Sequence, residues 1–208
     1  MGLQLPVKIS SVNNLSDARY CAGMGVTWIG FCLNPSEPAF LPSQKAKEIA
    51  SWLAGVAFVG ELGTEDLPSD IAHYPLDYLQ TDVPEKLPML QSYGLPLILR
   101  MRVHTLADIQ QAIRIAANCQ PLTEFFLLEG SLNPHMLEVL PLLHQACAQH
   151  KIILELPFEA TTIVQTVASI QPYGIALKGG FEAKPGLKDF DDIAAILEAL
   201  EVEDDIAH

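Results

Sequence analysis

The sequence predicts a (β/α)8 barrel of the TIM type, formed as one domain over residues 1–208. Three observations carry that expectation. Short apolar, β-branched-rich runs alternate with helical patterns along the whole chain, the signature of a parallel sheet. Eight such units fit into 208 residues, half of them hydrophobic, with no linker, low-complexity tract or composition break between them. The rival fold, a doubly wound open sheet, requires a glycine-rich fingerprint after its first strand, and "SSVNN" is not one.

The units run in order. Val7–Ser10 is the first expected strand, and Asn13 or Asn14 with Asp17 opens a helix over Leu15–Met24. Thr27–Cys32 and Ser43–Leu53 make the second unit. Ala57–Glu61 is followed by only a short helical segment near Leu67–His73, and Asp77–Gln80 by Glu85–Ser92. The fifth unit pairs Leu97–Met101 with the clearest helix, Leu106–Asn118. Thr105 can cap it, and Leu106, Ile109, Ile113 and Ala117 recur at helical spacing. Glu124–Glu129 with Pro134–His150, Ile152–Leu156 with Ala160–Ile170, and Gly174–Lys178 with Phe190–Leu200 complete the series. Trp28 and Trp52 are expected to pack in the strand and helix layers.

Charge narrows the function. Twelve basic residues stand against 25 acidic ones, a formal net charge of -13. Such a surface repels phosphate backbones and anionic membranes, so neither nucleic acid nor membrane is an expected partner. An anionic small molecule can still bind where local N–H groups and cations override the global field. Cys21, Cys32, Cys119 and Cys147 show no C-x-x-C spacing, so metal and redox motifs are not indicated. They are expected as buried thiols in a reducing compartment. No apolar run reaches the roughly 18 residues of a membrane span, and the N-terminus lacks a basic segment followed by an apolar one. Met1-Gly2 opens like a myristoylation signal but has Pro6 where Ser or Thr is wanted. The expected location is the cytoplasm.

In a barrel, chemistry sits at the C-terminal ends of the strands. Those ends carry Lys8 and Ser10, Glu61, Gln80 with Asp82, Arg100 with Arg102, Glu129, Glu155 and Lys178. Any one of them alone could point outward into a solvated loop. Together they place charges of both signs around one mouth, where isolated burial is costly, so they should be paired or ligand-bound. Lys178 among other cations could form a Schiff base, or simply pair with Glu155 or Glu129. Two of Glu61, Glu129 and Glu155 could divide acid and base roles, or all could form a structural ion network. Ligand spacing supports no metal. His104 and His135 could reach a substrate or sit exposed at helix starts. Gly179-Gly180 after the last strand could offer N–H groups to a phosphate, with Phe181 beside them, or form a plain tight turn.

Several stretches resemble phosphoribosylanthranilate isomerase. "GGFEAKPGLKDF" at 179–190 is similar to that family's Ser-Gly-Val-Glu stretch leading to Pro-Gly-x-Lys-Asp. "VKISSVNNLSDA" at 7–18 resembles its opening, Val-Lys-Ile-Cys-Gly-Ile-Thr-Asn-Leu-Glu-Asp-Ala. "GVTWIGFCLNPSEPAFLPSQKAKEI" resembles its second unit, "VAFVGEL" its third strand, and "FFLLEG" its sixth, where the family has Leu-Leu-Asp. The likeness runs in order along nearly the whole chain.

The resemblance implies a monomeric or homodimeric (β/α)8 barrel of tryptophan biosynthesis. Its reaction is the Amadori rearrangement of N-(5′-phosphoribosyl)anthranilate, without metal or organic cofactor. It implies a strand-one cysteine as general base, a strand-six aspartate as general acid, and a phosphate held by N–H groups of the loops after strands seven and eight. In this chain Ser10 stands at the cysteine position, and serine needs a dedicated base to ionise near neutral pH. Glu129 stands at the aspartate position and could act as acid if burial raises its pKa. Ala39 replaces an expected arginine before Phe40. Leu156-Pro157 replaces a Gly-Gly pair, removing an N–H, and Leu79-Gln80-Thr81-Asp82 replaces Gln-Leu-His-Gly. Lys8, Arg100 in place of a lysine, Gly180, Glu182 and Pro185-Gly186 match, while Glu155 and Lys178 are additions.

The expectation is thus an isomerase-like barrel with a diverged active site. Glu129 and Ser10 would be catalytic. Lys8, Arg100, Lys178 and Glu155 would bind the substrate, and Gly179, Gly180 and Phe181 its phosphate. The alternative is a barrel without the isomerase chemistry that binds a phosphorylated small molecule in a regulatory role.

Overall fold

The computed structural model describes residues 2–179, 182–184, 187–188 and 190–202. Eight parallel strands close into a barrel: β1 Val7–Ser10, β2 Trp28–Cys32, β3 Ala57–Glu61, β4 Tyr78–Thr81, β5 Leu97–Val103, β6 Phe125–Gly130, β7 Ile152–Glu155 and β8 Gly174–Lys178. Closure comes from β8 pairing with β1, which sets Ser10 beside Lys178. The same register sets Cys32 beside Glu61, Arg102 beside Glu129, and Glu129 beside Glu155. The polar residues that end the strands therefore meet at one rim.

Helices α1 (Leu15–Gly23), α2 (Ser43–Ser51), α3 (Leu87–Leu90), α4 (Leu106–Cys119), α5 (Val139–Gln149), α6 (Ile163–Ile170) and α7 (Phe190–Ala199) lie between and after the strands. Asn14 caps α1, its side chain accepting from the Asp17 N–H at 2.9 Å. Thr105 and Asp108 form a reciprocal capping box on α4.

Several boundaries differ from the sequence expectation. The third unit holds only a 3-10 turn, Ile71–His73. The fourth has a four-residue α3 between 3-10 turns, with Pro84 and Pro88 near their starts and Gly94 ending the run in the left-handed region. Helix α5 begins at Val139, because the Asn133 side chain accepts the His135 N–H at 2.9 Å and turns the chain before it. Helix α6 begins at Ile163, and β5 continues to Val103, which pairs with Gly130. Trp52 does not pack in the helix layer. It is the residue just past α2 and is 65% exposed.

Two apolar layers result. The larger fills the space between barrel and helices. The smaller closes the barrel interior at the N-terminal ends of the strands, where Trp28, Phe125 and Ile153 meet Val59, Ile98 and Ala176. Trp28 and Phe125 have ring centroids 5.0 Å apart, with Tyr78 and Tyr173 against both. Cys21 and Cys32 are buried as expected, but Cys119 and Cys147 are only partly so. Burial pushes the Cys21 and Cys147 thiols up to about 12. Among the described residues, no helix is long and apolar enough to cross a membrane.

Phe125 contributes a fully buried ring to the barrel floor. Phe125→Ala is expected to cost about 3–5 kcal/mol of stability, measured as a lower midpoint in urea unfolding.

Candidate active site

A cavity of about 420 Å³ opens at the C-terminal rim of the barrel. Ser10, Glu61, Arg100, Glu129, Glu155 and Lys178 all line it. Lys8 lies beneath, with no solvent exposure. The structure thus brings together all the strand-end groups named from the sequence, except that Gln80 is buried outside the lining and Gly180 and Phe181 lie outside the described residues.

Lys8 organises the deep end. Its ammonium forms a close ion pair with Glu61 Oε1 and donates to Ser10 Oγ at 2.8 Å. A buried ammonium needs such partners because taking it out of bulk solvent is costly unless its charge is paired. Glu61 Oε2 also accepts from the Ser11 N–H at 3.1 Å and from Ser11 Oγ at 2.8 Å. Ser11 reaches this geometry with φ of 57°. The intervening strand makes room: a Cβ on Gly30 would stand 2.0 Å from Glu61 Oε1 and 3.0 Å from Lys8 Nζ. On the far side, Ser10 Oγ donates to Glu155 Oε2 at 2.7 Å. Burial raises the Glu155 pKa, as do Glu129 and Glu61. Lys8 and the Ser10 hydrogen bond work against the shift without cancelling it.

The outer rim is a second network. Asp82 takes Arg100 in a bidentate pair, with both N···O distances 2.7 Å. Arg100 Nη1 lies 3.2 Å from Glu129 Oε2, and Lys178 Nζ donates to Glu129 Oε1 at 2.6 Å. Arg102 stands farther out, 3.5 Å from Asp82 and 4.0 Å from Glu129. Burial alone would raise the Glu129 pKa. The Lys178 hydrogen bond and the charges of Arg100, Lys178 and Arg102 outweigh it, so the carboxyl is held below its ordinary value. This corrects the expectation that burial would make Glu129 a ready acid. Lys178 also titrates against the Schiff-base alternative. Burial would lower its pKa, but Glu129 and Glu155 hold it above the ordinary lysine value, so it stays a paired cation.

Other sequence candidates fall away. His104 and His135 do not line the cavity. His104 Nδ1 lies 3.3 Å from Ser131 Oγ, and His135 Nε2 lies 3.0 Å from Thr166 Oγ1. The Gly179 N–H donates to the Ser10 carbonyl at 2.8 Å, so it closes the barrel seam and is not free for a phosphate. After β7, Leu156, Pro157 and Phe158 line a second, mostly apolar hollow with Leu177, Ile193 and Ile196, bordered by Glu155, Lys178 and Asp192, where the resemblance implied a phosphate cradle. No group of three or more His, Cys, Asp or Glu among the described residues is arranged to hold a metal ion. Sequence reasoning missed Cys32, Ser11 and Asn34 as lining groups. Cys32 was legible as a strand end. Ser11 was not, because its role depends on a positive φ.

A closed parallel barrel whose rim concentrates paired charges around a solvent-open cavity is the architecture of a small-molecule enzyme or binding protein. The particular likeness is to phosphoribosylanthranilate isomerases. No family model matches the chain. A curated N-(5′-phosphoribosyl)anthranilate isomerase from Acidithiobacillus ferrooxidans is 27% identical over 202 residues, covering 90% of this chain and 93% of that protein. The crystal structure of phosphoribosyl anthranilate isomerase from Thermotoga maritima matches with a TM-score of 0.75 at 20% identity, covering 94% of this chain and 98% of the other. A phosphoribosyl anthranilate isomerase in complex with reduced 1-(o-carboxyphenylamino)-1-deoxyribulose 5-phosphate matches at 0.74 and 21% identity, with the same coverage. The chain is thus similar to those isomerases over nearly its whole length, at low identity.

Two outcomes follow from the networks. Lys8→Met would leave Glu61 buried without its cation and is expected to cost about 3–5 kcal/mol, read from the urea midpoint. Glu129 contributes stability above its unfolded value of about 4.3, because its folded pKa is depressed. That contribution disappears as pH falls through the folded value. The unfolding midpoint of the wild type should therefore drop more steeply below about pH 4 than that of Glu129→Gln.

Proposed function

We propose that the protein is an isomerase of the phosphoribosylanthranilate isomerase type, performing an Amadori rearrangement on N-(5′-phosphoribosyl)anthranilate in a diverged active site. The full-length likeness to curated isomerases carries this reading, and the charged cavity supports it. The reaction opens a glycosylamine ring, which needs a proton on the ring oxygen. It then moves a proton from C2 of the opened chain, which needs a base.

Glu129 supplies the acid. Lys178, Arg100 and Arg102 favour its ionised form. An anionic substrate draws on the same cations: Arg100 has the planar fork that suits a carboxylate, and Lys178, at 60% side-chain exposure, is the accessible point charge. Once they turn to the ligand, Glu129 loses the charges that depress its pKa and can hold a proton. Substrate binding and acid strength are thereby coupled. Lys8 and Ser10 form the proton-handling end. The phosphate is assigned to Gly180 and Phe181, which lie outside the described residues, since the Gly179 N–H is taken by the Ser10 carbonyl. The work needs no metal or organic cofactor, the cytoplasm is its setting, and the chain acts as a monomer or homodimer.

The apolar hollow bounded by Leu156, Pro157 and Phe158 favours a second reading. Pro157 takes one N–H donor out of the seventh loop, which weakens phosphate binding there, as in a barrel that binds a small molecule in a regulatory role without turning it over.

Purified wild-type protein should convert N-(5′-phosphoribosyl)anthranilate, and the gene should restore growth to a tryptophan auxotroph lacking the isomerase. Absence of both would transfer support to the binding role.

A further inference from the structure

A serine at the strand-one position needs a base of its own, and five carboxylates line the cavity, of which Glu37 is exposed on the loop after β2 and makes no hydrogen bond to Ser10. Three are committed. Glu61 is held by Lys8 and Ser11, Asp82 by Arg100, and Glu129 by Lys178 and Arg100. Glu155 is the exception: its hydrogen bond comes from Ser10, at 2.7 Å, and its nearest cation is Lys178 at 3.8 Å. Ser10 sits between this carboxylate and the Lys8 ammonium, accepting a hydrogen bond from Lys8 and donating one to Glu155. Cys32 is no rival. Its Sγ faces the Asn34 carbonyl at 3.9 Å, and burial, with Glu61 and Glu37, raises its pKa.

We propose that Ser10 and Glu155 act as one proton-abstracting pair, in which the Ser10 hydroxyl takes the substrate's carbon-bound proton while passing its own proton to Glu155 Oε2. The proposal rests on the isomerase reading and deepens it. One substrate C–H bond breaks, and its electron pair stays on the substrate as the new enamine double bond. One O–H bond at Ser10 breaks as another forms, and the carboxylate becomes a carboxyl group. Lys8 Nζ steadies the negative charge that passes over Oγ. The proton returns from Glu155 through Ser10 to the neighbouring carbon or to water, so the step is neutral overall. A carboxylate inside the barrel is a stronger base than one in water, and this one faces Lys8, Glu61, Glu129 and Lys178 from the other strands. The pair thus supplies what a thiol does alone.

The test uses N-(5′-phosphoribosyl)anthranilate with the full chain. Glu155→Gln and Ser10→Ala should each lower kcat by about 100-fold or more, and the double variant should lose no more than either single one. Ser10→Cys combined with Glu155→Gln should recover turnover, with a pH profile rising toward the thiol value of about 8.5, because a thiol ionises without a partner. Wild-type turnover in Glu155→Gln, multiplying losses in the double variant, or no recovery with the thiol would overturn the proposal. Glu155→Gln should unfold at the same or a higher urea concentration than wild type, since it removes a buried charge; a lower one would mark the residue as structural. One arm needs no turnover. The infrared carboxyl band that vanishes in Glu155→Gln should titrate above the ordinary glutamate value, and its midpoint should rise further in Ser10→Ala. A midpoint indifferent to Ser10→Ala overturns the pair even if the wild type proves inactive, an outcome that would by itself sink only the isomerase reading.

Discussion

An ammonium group without solvent exposure sits near the centre of this barrel, and most of the site can be traced to its needs. Lys8 extends from β1 into the barrel interior, where it has no solvent exposure. Its counter-charge comes from Glu61 on β3, so the strand between them must give way, and Gly30 does. Its remaining hydrogen bonding reaches Ser10, which hands the network on to Glu155 on β7. Ser11 leaves the strand in a left-handed conformation that brings its N–H and hydroxyl to the other oxygen of Glu61. Interactions spanning β1, β3 and β7 therefore answer to one charge.

The barrel divides along its axis. Aromatic and branched side chains fill the N-terminal end, where burial of apolar surface supplies stability, and ionisable groups fill the other. Lys8, Arg100, Arg102 and Lys178 offset Glu61, Asp82, Glu129 and Glu155, four of the five carboxylates, with the exposed Glu37 the fifth. Local pairing is what allows an anionic ligand to approach a chain of net charge -13. Pairing also makes the site responsive. The outer cations are shared between carboxylates, so any anion that engages them changes the proton affinity of Glu129. The departures from the resembled family act together in this setting. Ser10 and Glu155, which the sequence reading takes as departures from that family, stand within hydrogen-bond distance of each other.

Eight strand–helix units, the polar strand ends and the likeness of both chain ends to a known isomerase were all legible in the amino-acid sequence, because each is a matter of local pattern. Alternation of apolar runs with helical periodicity needs no knowledge of what lies opposite. What the sequence could not settle were partners and protonation. Glu129 reads as a buried acid until Lys178, Arg100 and Arg102 are seen around it, and Gly179 reads as a phosphate donor until its N–H is found on the Ser10 carbonyl. Helix lengths in the third and fourth units, and the exposure of Trp52, also followed from packing that no local window contains. By itself, the sequence determined that ionisable side chains would gather at one end of a closed sheet. Only closure, which sets Ser10 against Glu155 across 145 positions of chain, decided which of them are hydrogen-bonded. Covalent order governs strand periodicity, whereas hydrogen-bond partners depend on distance in space.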